Sequence, residues 1–164
     1  MQSILRLVLL VAIAPIIFLS GCDSTSNESL PNSGVSLCIN LYEMCVEPIL
    51  HNPTATGDSC SQAGCHNPPV GQDGFFLYNP PSPAELMTNN FPQVEARTLN
   101  NDLLLSKASG GAGHGGGKQF NVGDLCYNTI AEWRAIAAPT DGSACTATIT
   151  NCALAPALIA TCGL

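Results

Sequence analysis

Positive charge is scarce in this chain: 164 residues carry five Lys and Arg against twelve Asp and Glu, for a formal net charge of −7. A surface so poor in cations does not neutralise phosphates, which excludes nucleic acid as a partner and favours a basic protein instead. Recognisable catalytic machinery is also missing. There is no nucleophile motif, no phosphate-binding glycine loop and no pair of carboxylates at an informative spacing, so the chain does not read as an enzyme in its own right. The usual zinc units, Cys-x-x-Cys and His-x-x-x-His, are absent as well. The longest apolar run, Leu7 to Leu19, falls short of the roughly 20 residues a helix needs to cross a bilayer.

That run has another reading. Arg6, the apolar stretch and then Ser20-Gly21-Cys22 form an export signal over residues 1–21. Leu19-Ser20-Gly21-Cys22 resembles the lipobox of bacterial lipoproteins, which implies cleavage before Cys22 and lipidation of that cysteine. Each buried methylene of an acyl chain adds about 0.8 kcal/mol, so several chains tether a protein stably without spanning. The resemblance implies a location in the cell envelope, periplasmic or on the outer surface. Residues 22–36 are polar and turn-forming, a flexible tether. Residues 37–164 are long enough for one modest core.

Nine cysteines fit an oxidising compartment. Two of them stand in Cys60-Ser61-Gln62-Ala63-Gly64-Cys65-His66. Two thiols closed by an adjoining histidine suit covalent haem: the thiols add across the vinyl groups and the imidazole is held against the iron. The stretch resembles the haem-attachment motif of the cytochrome c family, in the minority variant with four residues between the cysteines. The resemblance implies one covalent haem c, bound through Cys60 and Cys65, with His66 as a metal ligand. The same cysteines also serve as ordinary disulfide partners if no haem is present, in which case the chain is a disulfide-rich surface lipoprotein acting as a binding or structural module.

Other segments resemble a small planctomycete-type cytochrome c domain in the same order. Val46-Glu47-Pro48-Ile49-Leu50 looks like the lead-in to the haem motif, and Gly71-Gln72-Asp73-Gly74-Phe75-Phe76-Leu77 like the glycine-hydrophobic turn after it. Leu105-Ser106-Lys107-Ala108-Ser109 and the glycine tract around His114 resemble its glycine-histidine loop, and Trp133 falls on a closing helix. The resemblance, spanning roughly residues 46–138, implies a mainly α, class I cytochrome c-like single domain with long loops, stapled by disulfides. It also implies a carrier that passes electrons to a redox partner, alone or as a subunit of a larger redox complex. The second iron ligand has four candidates, His114, His51, Met87 and Met44. His114 is favoured, and Met87 is the alternative because methionine opposite histidine is common in class I.

Periodicity places helices over 37–50, bent or ended by Pro48, and from Ser82-Pro83-Ala84-Glu85 through Met87. A short helix is expected around Leu103 to Leu105, and a last one from a capping Asp124 to Ala137, burying Ile130, Trp133 and Ala137. Phe75, Phe76 and Tyr78 are candidates for a haem edge or for the core. Setting aside Cys22, Cys60 and Cys65 leaves Cys38, Cys45, Cys126, Cys145, Cys152 and Cys162, an even set. Cys38 and Cys45 repeat the spacing of Cys145 and Cys152. Two antiparallel helices would pair Cys38 with Cys152 and Cys45 with Cys145. Thr146 to Thr150 instead favours a strand, which would turn Cys145 and Cys152 to opposite faces.

Overall fold

A computed structural model describes residues 35–164, so the signal segment 1–21 and the lipidation expected at Cys22 lie outside the described residues. Within them the protein is mainly helical and has no strand beyond a single bridge between Leu37 and Ala137. Helix α1 runs unbroken through Ile39–Leu41, Tyr42–Val46 and Glu47–His51. It buries Leu41, Tyr42, Cys45, Val46, Ile49 and Leu50, the apolar stripe expected from the sequence.

Pro48 does not end this helix. The preceding turn, Tyr42–Val46, is a π turn, with the Glu47 N–H donating to the Tyr42 carbonyl five residues back. Widening the turn there relieves the clash between a proline ring and the carbonyl before it. Helix α2 repeats the device over Pro83–Glu85, Leu86–Asn90 and Phe91–Leu99, with a π turn directly ahead of Pro92. Its start is the expected capping box: the Glu85 N–H donates to Ser82 Oγ at 3.2 Å and the Ser82 N–H donates to Glu85 Oε2 at 2.8 Å. The helix runs well past Met87, because Phe91, Val94 and Thr98 give the second half a buried face.

Helix α3, Leu103–Ala108, and helix α4, Leu125–Arg134, follow. Asp124 caps α4 by accepting the Tyr127 N–H at 2.9 Å. The helix stops at Arg134, short of the expected Ala137. Beyond it the Ala138 N–H donates to the Ser36 carbonyl at 2.7 Å, drawing the chain alongside Leu37 and leaving Ala137 exposed. A short α5, Pro156–Ile159, completes the set.

The core centres on three rings, one from each long helix. Tyr42 lies 5.4 Å from Phe91 and 5.5 Å from Trp133, centre to centre, and Phe91 lies 6.4 Å from Trp133. The buried Trp133 Nε1–H donates to the Cys38 carbonyl at 2.9 Å, which ties α4 to the start of α1.

Between described residues the disulfides are Cys38–Cys145, Cys45–Cys152 and Cys126–Cys162. The first two correct the crossed pairing expected from antiparallel helices. The segment carrying Cys145 and Cys152 is neither helix nor strand and runs the same way as α1. Seven helical residues rise only about 10 Å, whereas the same number fully extended span about 23 Å. The segment therefore contracts, turning at Thr150 and Asn151, until both of its cysteines face α1. Two hydrogen bonds to α4 hold it there: the Thr150 N–H donates to Glu132 at 2.6 Å and Thr129 Oγ1 donates to the Asn151 carbonyl at 3.3 Å. Closing a loop of 107 residues contributes about 4.7 kcal/mol in the chain-entropy view. With one bridge made, the other closes a ring of about fifteen residues and adds about 3 kcal/mol.

Peptide mapping under non-reducing conditions is expected to recover these two parallel pairs and not the crossed ones. Trp133→Ala is expected to cost about 3–5 kcal/mol in a denaturant titration. A loss below about 1 kcal/mol would mean the ring cluster does not hold α1, α2 and α4 together.

Candidate metal centre

His66 sits at the mouth of a loop pinned at both ends by backbone hydrogen bonds. The Gln72 N–H donates to the Cys65 carbonyl at 2.9 Å, and the Leu77 N–H donates to the His66 carbonyl at 2.7 Å. Gly71 makes the turn with φ of 47°, and a Cβ there would fall 2.1 Å from the Phe76 ring. Only glycine fits both demands. The loop delivers the Phe75 carbonyl to His66 Nδ1 at 3.2 Å and the Phe75 ring to the imidazole, 4.6 Å between centres. With the Nδ1 proton donated to that carbonyl, Nε2 keeps its lone pair, the tautomer a metal requires. Burial pushes the imidazole down to about 4, against the upward pull of the Phe75 carbonyl, with the neighbouring His114 and Arg97 lowering it further. His66 is thus neutral at physiological pH.

His114 lies in the glycine loop after α3 and repeats the arrangement. Its Nδ1–H donates to the Gly117 carbonyl at 2.9 Å, again leaving Nε2 as the free acceptor. Gly113 and Gly117 flank it with φ of 62° and 72°, and an added Cβ at either would meet no protein atom. The glycines serve the left-handed backbone that turns this carbonyl back to its own histidine. The two imidazole planes are parallel to within 3°, with centres 6.0 Å apart. That is too far for face-to-face contact. With metal–nitrogen bonds of about 2 Å, two imidazoles at this separation would be able to share one ion if both Nε2 atoms face it.

Both histidines line one cleft of about 680 Å³, part of it open to solvent. Phe75, Leu103, Leu104 and Ala108 supply apolar wall. Arg97 and Lys107 bring positive charge to it, with the Arg97 guanidinium 4.3 Å above the Phe75 ring. Cys60 lines the same cleft as a half-buried free thiol, and burial pushes it up to about 11. Cys65 is disulfide-bonded, and its Sγ accepts a hydrogen bond from Gln62 Nε2 at 3.6 Å. Compared with protein-family models, curated proteins and solved structures, the chain matches none. The reading of the cleft therefore rests on its geometry.

The geometry does not suit a small tetrahedral ion. Among the described residues, the His, Cys, Asp and Glu groups close enough for one are Asp124, Cys126 and Cys162, and the last two form a disulfide. His66, His114 and Cys60 instead surround a broad space. The fold does not bring the alternative ligand Met87 to His66: its side chain is 55% exposed, away from the cleft, and Met44 is likewise exposed. His51 faces Glu47, at 2.7 Å, on α1. Phe75 lines the cleft, while Phe76 packs on Gly71.

Sequence reasoning missed Arg97 and Lys107 as wall residues. A signal was available in α3, where Leu103 and Lys107, and Leu104 and Ala108, each stand four apart and so share adjoining stripes. For Arg97, far from any motif, nothing in the sequence pointed to the cleft.

In the cofactor-free protein, Cys60 is expected to alkylate about a hundredfold more slowly at pH 8 than an exposed cysteine, because burial suppresses its thiolate. Mass-resolved iodoacetamide kinetics check this. A rate matching that of the denatured chain would mean Cys60 lies at the surface.

Proposed function

We propose that the cleft holds a single haem c and that the protein is a lipid-anchored electron carrier of the cell envelope, class I cytochrome c-like in fold. The observation that carries this reading is the pair of parallel imidazoles 6.0 Å apart, each with Nδ1 committed to a backbone carbonyl. His66 and His114 would hold the haem iron, and Cys60, which lines the same cleft, would take one thioether. Bound there, the haem supplies a one-electron couple at its iron. The chain's residues do the rest. The carbonyls of Phe75 and Gly117 fix both tautomers, the apolar wall would restrict water, and a metal held by both histidines would be closed to substrates, which favours transfer over catalysis. The packing of α1 against α4 supports the class I reading. With a net charge of −7, a basic redox partner is the natural complement.

The state of Cys65 bears on attachment. A thioether forms from a free thiol, so the disulfide and haem attachment exclude each other at Cys65, and attachment there would require the reduced cysteine. The disulfide at Cys65 is also the observation that favours the second reading, a haem-free, disulfide-rich surface lipoprotein acting as a binding or structural module.

The test is the visible spectrum of the mature protein made in a host that attaches haem to exported chains, beside Cys60→Ala, Cys65→Ala and His114→Ala variants. Sharp reduced-state bands that stay with the denatured wild-type chain are expected, weakened or lost in the cysteine variants. His114→Ala is expected to keep the covalent colour but shift to the spectrum of an open coordination position, while Met87→Ala changes nothing. A folded, colourless wild-type protein sinks the haem reading and leaves the binding module.

A further inference from the structure

The cleft inverts the charge balance of the chain. Its lining holds two cations, Arg97 and Lys107, against one acid, Asp73, whereas the whole sequence has twelve Asp and Glu against five Lys and Arg. Both cations stand among Phe75, Leu103, Leu104 and Ala108, apolar neighbours that screen charge less than water does.

Arg97 is held at the wall by its neighbours. From α2 its Nη1 donates to the Gln93 carbonyl one turn back and its Nη2 to the Asp73 carbonyl across the loop, each at 3.3 Å, while the guanidinium lies over the Phe75 ring. Burial is what chiefly depresses the His66 imidazole, but Arg97 lowers it further and Asp73 raises it by less, so the guanidinium stands within electrostatic reach of that ring. Lys107 comes from the next helix. Helix α3 packs on α2, and Leu103, four residues before Lys107, lines the cleft beside it. The lysine is half-buried, and among the described residues no carboxylate forms an ion pair with it. An ammonium on an apolar wall gains more from an anion than one in bulk water does.

A ligand that suits this cleft has an apolar body for the wall and negative groups for the two cations. We propose that Arg97 and Lys107 form a carboxylate-recognition site that takes the two propionates of the haem and so fixes which edge of the ring faces them. This rests on the haem reading of the cleft. The guanidinium offers a planar fork that a carboxylate matches, and the ammonium a mobile point charge. With Asp73 counted, the lining still keeps an excess of positive charge.

Recognition of this kind needs neither a thioether nor the iron. The folded cleft selects a carboxylate-bearing ring by its charge, and a few well-placed polar groups on an apolar wall are what orient a ligand in such a site. The histidines and the two cations then answer to different parts of one molecule, and each contribution is measurable without the other.

The experiment titrates the mature protein, made without haem attachment, with haemin and haemin dimethyl ester, and again with metal-free protoporphyrin and its dimethyl ester, read by absorbance and fluorescence. Each ester keeps the ring and removes both charges. The free acid is expected to bind at least about tenfold more tightly than the ester in each pair, and this preference to shrink as salt is added. Arg97→Gln and Lys107→Gln are each expected to lower the acid-to-ester ratio severalfold, whereas a merely structural loss weakens acid and ester alike. Arg134→Gln removes the same charge outside the cleft, where Arg134 pairs with Asp102, and is expected to leave the ratio unchanged. A ratio near one, a ratio that Arg134→Gln lowers as far, or no binding by a chain that nonetheless takes up covalent haem overturns this proposal alone. No binding by a chain that also stays colourless in a haem-attaching host overturns the haem reading and this proposal together.

Discussion

Two backbone carbonyls decide what this protein's histidines can do. Phe75 and Gly117 each accept an Nδ1 proton, which fixes the tautomer and the ring orientation and leaves two Nε2 lone pairs available at once. A free histidine in a loop samples both tautomers and many rotamers, and ordering it on a ligand costs entropy. Here that cost is met in the fold itself, by a turn that only Gly71 can make and by left-handed glycines on either side of His114.

The scaffold behind the loops is made rigid by means unusual in so small a domain. Helices α1 and α2 each pass through a proline by opening a π turn just ahead of it, so α1 runs on where Pro48 was expected to bend or end it and α2 runs well beyond Met87. The two parallel disulfides then fasten an irregular segment along α1, and Trp133 binds α4 to the carbonyl of Cys38. Loops make up much of the remaining chain, and they hold a defined shape because their ends are pinned to this frame.

Charge is arranged against the average. The protein as a whole is acidic, yet Arg97 and Lys107, two of its five Lys and Arg residues, line the cleft. Acidic groups elsewhere maintain solubility and attract a basic surface. The buried Glu47 is the exception, enclosed between helices and held by hydrogen bonds from His51 and Asn90.

Local chemistry was legible in the sequence. Ser82 and Asp124 announced their caps, the stripe of α1 was visible in its spacing, and the Cys60 to His66 stretch and His114 pointed to one site from two separate loops. These features depend on residues a few positions apart, where the chain's own geometry sets the outcome. The disulfide partners, the passage of helices through Pro48 and Pro92, the end of α4 at Arg134 and the place of Arg97 in the cleft were decided by tertiary packing. Each depends on what another segment offers: a contracted loop facing α1, a widened turn, a strand-like contact with Leu37, an aromatic ring at Phe75. Spacing along one segment cannot encode which distant surface will meet it, and that meeting is where the burial energy lies.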